Sequence, residues 1–218
     1  MQKELGHLKE LLIKMSIYVE TAIRDAVNSL VERDTDLAKK VIGGDDVINA
    51  LDVQIDEECI RLIALKQPMG KNLRFLTTAM KITNDLERIA DNAVNVAERA
   101  VELNEEPVLK PYIDIPRMSR IAQRMVRDTI DAFVREDKRI ARDVILRDDQ
   151  LDELNEAIWE ELMAIMMRDP DTVSRAVKVT YISKYLERIG DHATNIAEDV
   201  IYMVDGKIIR HMEPGDIK

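Results

Sequence analysis

Four side chains able to bind a cation, Glu87, Asp91, Asn95 and Glu98, are spaced by four, four and three residues. On an α-helix that spacing lines them along one face. The set returns as Glu187, Asp191, Asn195 and Glu198. A preceding stripe, Asp45, Asn49, Asp52 and Asp56, runs at i, i+4, i+7 and i+11, and the second half carries Asp149, Asp152, Glu153 and Glu156. Two like charges four residues apart cost an isolated helix roughly 0.2–0.5 kcal/mol. Placing that pair twice in one register calls for compensation by basic side chains or by a metal ion. The donors are carboxylates and amides with no matched His or Cys, which suits Mg²⁺, Mn²⁺, Ca²⁺ or iron better than structural zinc. The competing reading is a solvated acidic face paired with Arg88, Arg188, Lys81 and Lys184, with Asp45 and Asp148 serving only as helix N-caps.

Other chemistries lack their residues. A redox di-iron bundle needs paired Glu-x-x-His motifs. Only Glu4-Leu5-Gly6-His7 has that spacing, at a terminus beside glycine, and neither His192 nor His211 follows a glutamate by three. No Ser-His-Asp or Cys-His set stands out, and no Gly-rich phosphate loop follows a strand pattern. The single cysteine, Cys59, lies on an apolar helical stripe, which reads as core. The net charge of −10 and pI near 4.9 argue against nucleic acid, whose phosphates need a basic face. The richest basic stretch, residues 135–147, is interrupted by Glu136, Asp137 and Asp143. No apolar run reaches membrane-spanning length and residues 1–6 do not look like a signal peptide, so a cytoplasmic protein is expected.

The elements that would position these acids are helices. Aromatics are 4% and charged residues 34%, a mix that favours long amphipathic helices over strands. The chain also repeats itself. Residues 86–98 recur one hundred positions later with nine of thirteen identical, and the change of Ala90 to Gly190 reads as mild. Upstream, at an offset of 103, Arg24-Asp25 matches Arg127-Asp128, Val41-Ile42 matches Val144-Ile145, and Asp45-Asp46 matches Asp148-Asp149. Each half then reads as a long helix, a short helical segment ending near Gly43 or Arg147, a helix of about twenty residues, a turn at Pro68 or Pro170, and a final long helix. Gly43-Gly44 is expected to break the first copy, and Asp171 or Thr172 to cap the last helix. The architecture predicted is all-α: two tandem pseudo-symmetric three-helix bundles with six main helices. They span residues 1–104 and 117–218, joined by a linker over 105–116 that holds Pro107, Pro111 and Pro116. Short hairpins bring Asp52 opposite Glu87 and Asp45 opposite Asp91 in the first bundle. In the second they bring Asp149, Asp152 and Glu153 opposite Glu187 and Asp191.

At the two Leu-Glu-Arg-Ile-x-Asp motifs the chain resembles the PhoU family, and Asp36-Leu37-Ala38-Lys39-Lys40-Val41-Ile42, Ile55-Asp56-Glu57-Glu58-Cys59 and Lys66-Gln67-Pro68 extend the likeness over almost the whole chain. The resemblance implies a non-catalytic regulator that restrains phosphate uptake and the phosphate-starvation response. It implies contacts with the ATPase subunit of a phosphate ABC transporter and with a sensor histidine kinase, a homodimer in many members, and membrane association only through partners. It also implies surface metal clusters, multinuclear iron in some members, on (Glu/Asp)-x-x-x-Asp pairs, while the oxygen donors themselves suit iron, manganese or magnesium. Here those pairs match Glu87 with Asp91, Glu187 with Asp191, and Asp52 with Asp56. The second copy departs, with Asn155 and Trp159 where the first has Asp52 and Asp56, and Asp152 with Glu156 is the nearest substitute. The reading from another pathway is a metal-binding helical-repeat scaffold whose acids serve a different partner, or only solubility.

Overall fold

The computed structural model describes residues 1–207; the end of the expected second bundle, His211 included, lies outside the described residues. Seven α-helices run in order: α1 Gln2–Val31, α2 Thr35–Lys66, α3 Lys71–Asn104, α4 Asp114–Arg135, α5 Lys138–Ile145, α6 Asp149–Arg168 and α7 Val173–Asp205, with a 3₁₀ turn at Pro170–Thr172 before α7. Among the described residues there is no strand. Helices α1, α2 and α3 form the first bundle. In the second, α4 and α7 take the places of α1 and α3, while α5 and α6 together take the place of α2. The duplicated all-α architecture expected from the repeat is the one observed.

Local chemistry sets the breaks. Asp34 opens α2 by accepting a hydrogen bond from the Leu37 amide at 2.9 Å, and Asp137 does the same for α5 from the Arg139 amide. The chain leaves α2 through Gln67 in the left-handed region ahead of Pro68, then enters α3 through Gly70 at φ +56°. With ψ at −123°, that position suits glycine alone. Pro116 sits in the first turn of α4, where its missing amide removes no helical bond. Thr172 occupies the position ahead of α7 without capping it. Its hydroxyl donates to the Asp169 carbonyl, while the Asp169 carboxylate accepts from the Asp171 amide. Asp169 is therefore the residue that turns the chain here, rather than Asp171 or Thr172.

One expectation fails outright. Gly43 and Gly44 lie inside an unbroken α2, both on the exposed side, in ordinary helical conformation. The second copy does break at the matching place, through Leu146, Arg147 and Asp148, none of them glycine. Two glycines cost a helix roughly 2 kcal/mol in all, less than the packing of the apolar stripe Val41, Ile48, Leu51 and Ile55 contributes when the helix stays whole. Tertiary burial overrides propensity.

The two bundles lie side by side, α3 along α7 and α1 along α4, and their buried apolar residues form one continuous core. Phe75 and Phe133 meet across this seam with ring centroids 4.7 Å apart. Lys81 reaches the nearly buried Asp199 at 2.9 Å, and His192 Nδ1 lies 2.9 Å from Asp85. His192, the one histidine inside the repeated motif, is thus spent on bundle-to-bundle contact. Cys59 is fully buried, and burial pushes its thiol up to about 12, so it belongs to the core.

Candidate carboxylate surfaces

In the first bundle the acids come from facing turns of α2 and α3. Glu87 and Asp91 stand one turn apart on α3, and Arg88 between them is 3.6 Å from one and 3.7 Å from the other, too long to neutralise either firmly. Burial raises the Glu87 carboxyl above its ordinary range, and the Asp91, Asp52 and Asp45 carboxylates add to the rise against the pull of Arg88. Asp91 is raised by burial first and by Asp45 second, again opposed by Arg88. Asp52 is raised by burial and by Asp56, and Asp56 by burial, tempered by the Thr83 hydroxyl. Hence Asp45, Asp52, Glu87 and Asp91 feel one another, as the hairpin predicts, and Asp56 extends the group by one turn. Asn49 donates to Asp45 Oδ2 at 2.8 Å, whereas Asp45 Oδ1 and Asp56 Oδ1 are buried with no hydrogen-bond partner. Asp45 caps nothing, because it lies within α2.

The second bundle gathers Asp148, Asp152, Glu187 and Asp191. Asp148 is the most perturbed carboxyl on the surface. Burial pushes it up to about 7, with Asp191, Asp152 and Glu187 adding to the rise and Thr194 opposing it. Its Oδ1 is buried without a partner. It stands at the N-cap position of α6 but its side chain makes no capping bond. Glu187 is buried; Lys184 donates to its Oε1 at 2.6 Å, and Oε2 is left buried and unpartnered. Asp152 is raised by burial, then by Glu187 and Asp149. Asp191 still presents an open edge to solvent, and the protein atoms crowded round its carboxyl raise it, followed by Glu187 and Asp152.

Several expected members stay outside. Glu156 is exposed and turns to a shallow hollow with Trp159, Tyr181 and Lys184, one turn beyond the cluster. The Asp152 and Glu156 pair is therefore not the counterpart of Asp52 and Asp56; the second cluster is completed by Asp148 instead. Glu153 and Asn195 are exposed, Asn95 is half-buried, and Asp149 joins only through the charge it lends to Asp152. Asp148 was readable as the match of Asp45 at the 103 offset, yet its helix-cap position hid it.

The change of Ala90 to Gly190 is not mild. A Cβ on Gly190 would stand 2.5 Å from Leu151 Cδ1 and 2.8 Å from Asp148 Oδ1. Glycine at this place leaves the room on α7 into which the Leu151 and Asp148 side chains from the start of α6 reach.

The donor chemistry fits a hard cation. Every ligand atom is oxygen, Glu87, Asp91, Asp52, Asp148, Asp152 and Asp191 are raised first by burial and then by neighbouring carboxylates, and each cluster holds two buried oxygens without a hydrogen-bond partner. As the side chains stand, no three His, Cys, Asp or Glu residues among the described ones are grouped to hold an ion, so binding would draw them inward by rotamer changes. The residues that would hold an ion are Asp45, Glu87 and Asp91 in the first bundle and Asp148, Glu187 and Asp191 in the second. A cation there would supply positive charge among carboxylates that the protein leaves crowded together.

The family model described as PhoU domain matches the chain twice, over residues 12–100 and 115–200, each match spanning one bundle and its acids. A phosphate-specific transport system accessory protein PhoU homolog of Aquifex aeolicus is 44% identical over 209 residues, covering 96% of this chain and 95% of that protein. The homolog of the same name from Pseudomonas aeruginosa is 40% identical over 210 residues, covering 96% and 87%. The crystal structure of PhoU from Pseudomonas aeruginosa superposes with a TM-score of 0.90 over 94% of this chain and 99% of that one, at 40% identity. That of the phosphate transport system regulatory protein PhoU from Streptococcus pneumoniae does so with a TM-score of 0.88 over 95% and 98%, at 26% identity.

Proposed function

Since the chain belongs to the PhoU family, we propose that it is a non-catalytic accessory regulator of phosphate uptake, which restrains both the transporter and the phosphate-starvation response when phosphate is plentiful. The observation that carries this reading is the full-length likeness to accessory proteins of the phosphate transport system, with both repeats present and in order. The partners are the transporter's ATPase subunit and a sensor histidine kinase. The protein works in the cytoplasm, as a homodimer or a monomer, and meets the membrane only through them; no described helix is long and apolar enough to cross one.

The mechanism is that of a rigid adaptor. A continuous core holds the bundles at a fixed angle, so the two carboxylate surfaces keep a fixed separation. Each surface concentrates negative charge that the protein itself leaves partly uncompensated, which favours a bound cation, a basic patch on a partner, or the two in succession. Glu87, Asp91, Asp45 and Asp52 would act in the first bundle, and Asp148, Asp152, Glu187 and Asp191 in the second. The group bound there, Mn²⁺, Mg²⁺ or iron, would supply positive charge and no reaction.

Affinity capture of the tagged protein from cells grown in high and low phosphate tests the reading. The ATPase subunit and the sensor kinase should be enriched with it, more strongly in high phosphate. Recovery of neither partner under either condition would refute it.

A further inference from the structure

An apolar groove of 330 Å³ opens on the first bundle between α1 and α2, floored by α3, with Ala22, Val41, Ile48, Ala90 and Val94 in its lining. Asp25 and Gly44 stand on its walls, and Tyr18 and Val47 are exposed beside them. The repeat shows what such a groove accepts. Carried to the second bundle, Ala22 becomes Met125, Gly44 becomes Arg147, Asp25 becomes Asp128 and Ala90 becomes Gly190. There the space is filled from within. Met125 is fully buried, with its Cε 3.7 Å from where a Cβ on Gly190 would stand. Arg147 pairs with Asp128, its Nη1 2.7 Å from Asp128 Oδ2. The first bundle keeps the acidic anchor and lacks both the thioether and the guanidinium. Among the described residues its Asp25 is hydrogen-bonded at 2.9 Å by the neighbouring, exposed Arg24, and Lys40 lines the groove as well without an ion pair to Asp25.

We propose that this groove is a docking site for a partner protein segment that presents a Met or branched aliphatic side chain beside an arginine, reproducing from outside the plug that Met125 and Arg147 form within the second bundle. The lining supplies the apolar contact, and Asp25 supplies the charge that selects arginine over an acidic residue. The inference goes beyond the phosphate reading and does not rest on it, since it concerns the groove's chemistry whichever pathway the segment belongs to.

The test uses the full chain, with ¹³C-labelled Ala, Val and Ile methyls followed by NMR as N-acetyl-Met-Arg-amide is titrated in. The Ala22, Val41, Ile48 and Val94 methyls should shift saturably, and N-acetyl-Met-Glu-amide should bind at least about threefold more weakly, the size of a partly exposed charge contact. A22M should abolish the shifts by filling the groove. G44R should do the same by placing a guanidinium over Asp25, and because a Cβ at Gly44 meets nothing within 4 Å, that variant has room to fold. D25N should reduce the preference for the arginine peptide to near unity. The proposal is overturned by the absence of saturable shifts, by equal binding of both peptides, or by binding that persists in G44R. Shifts of the same methyls on concentrating the protein alone would assign the groove to a second copy and overturn it equally.

Discussion

Leu151 packs so tightly on Gly190 that a Cβ there would lie 2.5 Å from its Cδ1, whereas the first repeat carries Ala90 at the matching place. Gly190→Ala must push α6 away from α7 or force Leu151 off its rotamer. It should destabilise the protein by about 1–3 kcal/mol, read as a lower midpoint in urea. It should also return Asp148 towards ordinary carboxyl behaviour, since the same contact buries it. A stability equal to that of the unsubstituted protein would mean the close approach is not real.

Gly43 and Gly44 predict the opposite sign. Both are helical and exposed, and a methyl added at either would meet no heavy atom within 4 Å. Alanine at either should stabilise by about 0.5–1 kcal/mol, because it removes backbone freedom from the unfolded chain at no cost in packing. A loss in chemical denaturation would show that α2 is interrupted there after all.

Asp148 makes folding depend on pH. Its carboxyl in the folded protein is raised to about 7, far above its value in an unfolded chain. Folding therefore takes up a proton between roughly pH 4 and pH 7, and stability falls as pH rises through that window. In chelated protein Asp148→Asn should remove this slope and stabilise by about 1–2 kcal/mol at pH 8, a figure reduced for partial solvent screening, while changing little at pH 4. A slope unchanged by the substitution would assign the pH dependence elsewhere.

Cation binding should act on the same groups. At pH 8, Mn²⁺ at a hundred times its dissociation constant should add about 2.7 kcal/mol per occupied cluster to the stability of chelated protein. The gain should shrink towards pH 5 as Asp148 and then the other raised carboxyls take protons. Replacing Asp148 and Asp191 with Asn should lose the second bundle's share. A melting temperature indifferent to Mn²⁺ at pH 8 would leave the clusters as plain acidic surface.

Much of this was legible in the residues. The Leu-Glu-Arg-Ile-x-Asp repeat carries its own periodicity, so the paired bundles and the facing of Asp45 and Asp52 with Glu87 and Asp91 follow from helical spacing and hairpin folding. The misses share a cause. Gly43-Gly44, Asp148, Gly190 and Glu156 are decided by what lies across from them on another helix, which spacing along one helix does not report. Asp148 looked like a cap because it precedes α6, but Gly190 lets it sink against α7. Glu156 looked like a ligand because it lies four residues from Asp152, but Trp159 and Tyr181 hold the surface it faces. The groove was legible only as a contrast between copies, with Ala22 against Met125 and Gly44 against Arg147.

The most direct measurement is repression of a phosphate-starvation reporter in phosphate-replete cells whose only copy of the protein carries Glu87, Asp91, Glu187 and Asp191 all replaced by Ala, with helicity and cellular level matched to the unsubstituted protein. Twin carboxylate surfaces that do the work of regulation predict that the reporter switches on despite abundant phosphate. Repression as complete as that of the unsubstituted protein would contradict the account.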